Sequence, residues 1–114
     1  MESILTSIKA QLGYGEADTG YDEELIMHIN TVLMDLRQLG VGPSEGFEIE
    51  DETTTWQDFL PNIKKFSAVK TYIYMRVKLI FDSSTMSSAL IESYNRQIDK
   101  FEWRLRHAAE FETD

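Results

Sequence analysis

The segment from residue 22 to residue 39 constrains the fold most, because its apolar residues recur with the period of an α-helix. At 3.6 residues per turn these side chains share one arc of about 140°, formed by Leu25, Ile26, Ile29, Val32, Leu33, Leu36 and Leu39. Thr19 or Asp22 is the expected cap at its start, and Gly40 is a typical helix stop. The chain must therefore bury one long helical face.

Helical patterns also cover most of the remaining chain. We predict a first helix from Ser3, its cap, to about Gln11, and a third long helix from Ile63 or Ser67 to Phe81. The last helix, capped by Ser87 or Ser88, is expected to reach about Glu110. Its apolar seam advances in steps of three and four residues: Ile91, Tyr94, Ile98, Phe101, Leu105 and Ala108.

The region between the second and third long helices is less regular. Gly40 to Pro43 predicts a turn, and the alternation over Phe47–Glu50 is compatible with a short β-hairpin around residues 47–55. Trp56 to Leu60 predicts a helical turn ended by Pro61. The expected fold class is mainly α, a small bundle of four to five helices forming a single domain over residues 1–114, with the hairpin as an optional addition.

Charge is distributed unevenly along the 114 residues, whose net charge is −9. Residues 1–60 hold 13 acidic and 2 basic side chains, whereas residues 61–114 hold 7 acidic and 9 basic ones. Tight binding of nucleic acid requires clustered Lys and Arg, which the first half lacks. The asymmetry suits subunits that meet head to tail, and it equally suits a soluble surface.

The sequence offers no set of groups suited to catalysis. His28 and His107 lack the spacing of metal-binding or nucleophile motifs, and a histidine at the edge of an apolar arc is typical of an ordinary boundary position. The absence of cysteine excludes disulfides and thiolate metal sites. We therefore predict neither an enzyme nor a cofactor or metal site.

A membrane location is not expected. The longest uncharged apolar run, Thr71 to Met75, is far shorter than the roughly 20 residues that span a bilayer. The N-terminus lacks the basic start of a signal peptide. An intracellular protein without a membrane partner is the expectation.

Several apolar side chains exceed what the predicted core needs. Met27 and Met34 lie outside the apolar arc of the second helix, and Trp103 projects about 170° from the seam of the last one. Trp56 and Phe59 either close the end of the bundle or join an interface, and Tyr72 belongs to a second stripe that faces this chain's core or a neighbour's. The predicted interface set is Met27, Met34, Trp56, Phe59, Tyr72 and Trp103.

Four stretches, in this order and in a chain of this length, resemble the head–tail connector (adaptor) proteins of siphophages and related prophages. They are Gln38–Pro43 (QLGVGP), Thr55–Leu60 (TWQDFL), Val69–Asp82 (VKTYIYMRVKLIFD) and Phe101–Leu105 (FEWRL). The resemblance spans nearly the whole chain. Each stretch alone is only a helix or a helix end, so the specificity lies in the ordered set.

This resemblance implies a structural subunit of a ring beneath the portal, a dodecamer in the virion. The ring would join the capsid vertex to the stopper or tail-completion protein and would let DNA pass without specific binding. The implied partners are other copies of the chain, the portal and the stopper, and the implied location is the virion neck, after assembly in the host cytoplasm. Contact between the acidic second helix and a neighbour's more basic last helices is the expected pairing.

The acidic run Glu48, Glu50, Asp51 and Glu52 has three interpretations. It is a solvated loop, a site for a hard cation, or a surface that faces the lumen of the ring. It lacks the spacing and the glycine of a calcium loop. A negative wall would keep phosphates from adhering to a DNA passage.

The alternative function is a small DNA-binding packaging component similar to a small terminase subunit. Such a protein should carry a helix-turn-helix with a basic recognition helix. Here the turn after Leu39 leads into acidic sequence instead. A gel shift at low salt would distinguish the two functions.

Overall fold

The computed structural model describes residues 2–15, 17–60 and 66–112, apart from the side chains of residues 66 and 108–112. These ranges contain five α-helices: α1 Ile4–Leu12, α2 Asp22–Gln38, α3 Trp56–Phe59, α4 Phe66–Asp82 and α5 Ser88–Glu112. A single 3₁₀ turn, Ser83–Thr85, links α4 to α5. The fold is a small, mainly α bundle, as predicted.

Serine side chains cap two of the helices where the sequence placed them. Ser3 Oγ accepts from the amide of Thr6 at 3.2 Å, and Ser87 Oγ accepts from the amide of Leu90 at 3.1 Å. The predicted side-chain cap of α2 is wrong. Its first flanking residue is Tyr21, which makes no capping bond, and the acidic first turn supplies the favourable charge at that helix end.

Two glycines shape the chain after α2. Gly40, at φ +89°, ends the helix in a Schellman motif in which the amide of Val41 donates to the carbonyl of Leu36 at 2.9 Å. Gly42 has φ +95°, and a Cβ there would lie 2.4 Å from the ring of Phe59. Only glycine fits this position, because both the backbone conformation and the neighbouring ring exclude a side chain.

The β-hairpin considered for residues 47–55 does not form. The amide side chain of Asn30 takes the place of a partner strand: it accepts from Ile49 N at 2.8 Å and donates to Ile49 O at 3.0 Å. The end of the segment pairs instead with the start of the chain, through an isolated antiparallel bridge between Ser3 and Thr55. The segment therefore bonds to Asn30 and Ser3, which are distant in sequence, and not to a neighbouring strand. The alternation of apolar and acidic residues reflects the burial of Ile49 and not a hairpin.

Helix α4 occupies the centre of the bundle and packs against α1, α2 and α5. Four of its side chains are completely buried: Val69, Tyr72, Ile73 and Val77. The predicted arc of α2 faces them, and the seam of α5 contributes Ile98 and Leu105. The predicted core positions Phe66 and Ala108 lie outside the described side chains.

In the described ranges, no helix is both long enough and apolar enough to cross a membrane.

Candidate interaction surface

Three of the predicted interface residues lie in the interior of the chain. Trp56 and Phe59 are each 1% exposed and Tyr72 is 0% exposed. Trp56 Nε1 donates to Ser7 Oγ at 3.0 Å, and Phe59 packs on Phe47 with 5.0 Å between ring centroids. In this conformation these side chains offer no surface to a neighbour, so the candidate interface rests on the other three.

Met27, Met34 and Trp103 are strongly exposed, at 59%, 58% and 63%. The two methionines lie two turns apart on the face of α2 opposite its buried arc, with exposed Thr31 between them. Trp103 stacks on His107 of the next turn of α5, with 3.9 Å between ring centroids. Exposed aromatic and methionine side chains are enriched at the cores of protein interfaces.

Basic side chains outnumber acidic ones on the face of α5 that carries Trp103. Arg96, Lys100 and Arg106 are exposed within about 60° of Trp103 around the helix, and Glu92 and Asp99 are the exposed acids described there. The surface around the indole is therefore positively charged and suits an acidic partner.

A groove of about 330 Å³ lies beside Met34, between α2 and the loop that follows Pro43. Its lining residues are Asn30, Met34, Arg37, Glu45, Gly46, Phe47 and Glu48. Arg37 Nε donates to Ser44 O at 2.8 Å and so holds the loop against the helix. Sequence reasoning found Met34 but missed the rest of this groove, because the return of the loop onto α2 depends on the Gly40–Pro43 turn and on the bonds from Asn30.

The acidic run begins at the groove, where Glu48 is a lining residue, and continues along the surface. Glu48, Glu50, Asp51 and Glu52 are all exposed, while Ile49 between them is buried. Hydrogen bonds from the hydroxyl and the amide of Thr53 lower the pKa of Asp51, so this carboxylate stays charged well into the acidic range. The segment is thus anchored by one apolar side chain and by Asn30, with its carboxylates directed outward.

A polar network joins α2, α4 and α5 and was not found from the sequence. Arg76 donates to Asp35 Oδ2 and to Tyr72 Oη, both at 2.7 Å, and Tyr72 Oη donates to Glu102 Oε2 at 2.7 Å. Burial, followed by the bond to Glu102, raises the pKa of Tyr72. A charged residue between two apolar stripes of α4 indicates a buried polar contact at Arg76. The sequence could not identify the carboxylates of that contact, because Asp35 and Glu102 lie on other helices.

Aromatic rings form a second partly exposed cluster where the loop after α1 meets the end of α4. Tyr14, Tyr21 and Phe81 contact one another, and His28 lies edge-on to Phe81. The sequence singled out only His28 of this group, as an ordinary boundary position, because the rings come from two loop residues and two different helices.

A sequence model of the phage connector protein family matches residues 4–112 of the chain. No curated protein and no solved structure matches it significantly.

Proposed function

The chain belongs to the phage connector protein family, and from this premise we propose that it is one subunit of a ring between the portal and the stopper of a tailed phage. In this proposal it joins the capsid vertex to the tail, encloses the DNA passage and catalyses no reaction. The observation that carries the proposal is the family match over nearly the whole chain. It combines with a fold whose core is complete while large apolar side chains remain outside.

The exposed side chains support contacts between different surfaces of identical copies. A ring closes only when two unlike patches meet, since a contact between two identical patches ends at a dimer. Here one patch lies on α2 and its loop, with Met34 and acidic residues, and the other lies on α5, with Trp103 and basic residues. Charge of opposite sign steers such patches together and fixes their orientation.

The acidic run supports a lumen-facing role. Its carboxylates are exposed on a segment held to α2 by two hydrogen bonds, so each subunit would present the same charges at the same place. Negative charge repeated around a ring repels phosphates and keeps DNA from adhering to the wall.

Electron microscopy of the purified chain with its phage's portal protein tests the ring. We expect a ring of additional density at the tail-facing end of the portal. A chain that leaves the portal unoccupied at high concentration would contradict the proposal.

The lumen role needs a separate experiment. Glu50→Lys should slow DNA packaging and ejection, and Glu48 is left unchanged because it also lines the groove. Asp18→Lys makes the same change in net charge at an exposed position outside the acidic run, α2 and α5, and serves as the control. Equal rates for the two variants would argue against a lumen-facing run.

A further inference from the structure

Two features of the surface have chemistry that suits a contact with each other: an exposed aromatic side chain on α5 and a groove beside α2. Trp103 has 63% of its surface exposed, more than the other large apolar residues described as exposed. The groove between α2 and the loop has a volume of about 330 Å³, at the lower end of the range for sites that hold small organic ligands. One aromatic side chain is an occupant of suitable size.

The walls of the groove are fixed before any partner arrives. Arg37 holds the loop through Ser44 O, and Phe47 rests on the buried ring of Phe59. Asn30 binds both backbone groups of Ile49 just beyond the groove. A preformed receptor loses little conformational entropy on binding, which favours affinity.

The lining has the chemistry that receives an indole. Methionine sulfur contacts aromatic rings favourably, and Met34 is more than half exposed here. Arg37 supplies a cation and Phe47 a ring, both of which interact with aromatic faces. His107 stacks on one face of Trp103, and the indole still has 63% of its surface exposed and accessible to a partner.

Charge indicates the source of that indole. Glu45 and Glu48 are exposed at the groove, whereas the exposed side chains Arg96, Lys100 and Arg106 surround Trp103. With Arg37 counted at the groove and Asp99 counted beside Trp103, the two surfaces still carry net charges of opposite sign. A second copy of this chain supplies both features together.

We infer that Trp103 of one copy inserts into the groove lined by Met34, Arg37 and Phe47 of the next copy. This inference rests on the proposed ring and names the two patches that meet in it. The contact joins α5 of one subunit to α2 and its loop in the next, and is therefore heterologous. Met27, equally exposed on the same helix, does not line the groove.

The first experiment compares three single variants for binding to portal. Trp103→Ala and Met34→Glu should each lower the apparent affinity of ring assembly by roughly tenfold or more, as expected for loss of an interface hot spot. Leu90→Glu makes the same change from an apolar to an acidic side chain at an exposed position of α5 outside the groove, and should assemble as the unaltered chain does. Circular dichroism checks that all three variants fold.

The second experiment isolates the contact by complementation. A chain with Trp56→Phe and Met34→Glu keeps Trp103 as its only tryptophan but has a blocked groove. A chain with Trp56→Phe and Trp103→Ala has no tryptophan and an intact groove. Titrating the second into the first should shift the emission of Trp103 to shorter wavelength and saturate, and adding Met34→Glu to the titrant should abolish the shift.

The outcomes separate this inference from the proposed function. If Trp103→Ala and Met34→Glu assemble on portal as tightly as the unaltered chain, the inference is overturned and the ring stands. If the unaltered chain never occupies portal, the proposed ring itself fails. Should Trp56→Phe unfold the chain, ¹⁹F NMR of fluorotryptophan-labelled protein follows Trp103 separately from Trp56, and a Trp103 signal that does not respond to the groove-bearing chain also overturns the inference.

Discussion

The two tryptophans mark regions built in opposite ways. Trp56 is 1% exposed in a helix of only four residues, and its indole N–H is bonded to Ser7 of α1. Trp103 is 63% exposed on the 25-residue helix α5, whose main packing partner is α4. The residues around Trp56 bury it and bond its indole N–H within one chain, whereas the outer face of α5 is available to a second chain. A large aromatic residue thus signals either a core or an interface, according to what the rest of the fold places around it.

Truncation of the buried tryptophan tests whether the two regions differ in this way. Trp56→Ala should lower the free energy of unfolding by about 3–5 kcal/mol, because it opens a cavity in the hydrophobic core. It also leaves Ser7 Oγ without its indole donor. Trp103→Ala should change stability by less than about 0.5 kcal/mol. Urea unfolding measures both, and similar losses would show that the two regions do not differ as described.

The attachment of α5 can be tested next. Ile98→Ala removes a side chain that is 6% exposed in the α4–α5 contact and should cost about 2–5 kcal/mol. Amide hydrogen exchange should show the greatest loss of protection in α5, because its packing depends mainly on α4. Leu90→Ala, on the same helix but 42% exposed, is the matched control and should have little effect. Uniform loss of protection across α1, α2 and α5 would show that α5 is not a separable unit.

The sequence predicted the long helices because their burial follows a regular period. The arc of α2 and the seam of α5 both appear in the core, and Ser3, Ser87 and Gly40 mark helix ends as expected. Caps and periodicity act over three to seven residues, so they can be recognised without knowing the tertiary structure.

The same patterns could not predict the burial or the contacts of residues whose neighbours come from distant parts of the sequence. The burial of Trp56 depends on Ser7, and the walls of the groove depend on a loop folding back onto α2. The exposure of Met27, Met34 and Trp103 was predictable, because each lies on a long helix with a well-defined apolar face. Which of them borders a groove became evident only from the structure.

A third prediction concerns the two hydrogen bonds between Asn30 and Ile49, next to the groove. Asn30→Ala should destabilise the fold by about 1–3 kcal/mol, because Ile49 N and Ile49 O both lose their partner at a part-buried site. Asn30→Asp retains the acceptor for Ile49 N but removes the donor to Ile49 O. Its stability should therefore lie between those of the unaltered chain and Asn30→Ala. Chemical denaturation gives the values. An unchanged Asn30→Ala variant would show that another group holds the 47–50 segment in place.

The smallest predicted effect concerns the ion pair between Lys70 and Glu2. Lys70 Nζ bonds Glu2 Oε2 at 2.7 Å, and this bond, followed by the hydrogen bond from Ser7, lowers the pKa of Glu2 below its ordinary value of 4.5. A carboxyl whose pKa is lowered on folding stabilises the protein above its unfolded pKa, and that contribution disappears as the pH falls through the lowered value. Because the pair is partly exposed, we expect no more than about 1 kcal/mol.

Glu2→Gln should therefore unfold slightly more easily than the unaltered chain at pH 7, and the difference should close as the pH falls below about 4. Glutamine keeps an oxygen for the Ser7 hydroxyl, so the comparison isolates the charge. Glu50→Gln, at an exposed loop position, controls for the change in net charge. Thermal unfolding from pH 3 to pH 7 measures all three proteins. If the difference in thermal stability between Glu2→Gln and the unaltered chain persists at pH 3, the stabilisation by Glu2 comes from packing and not from its ion pair with Lys70.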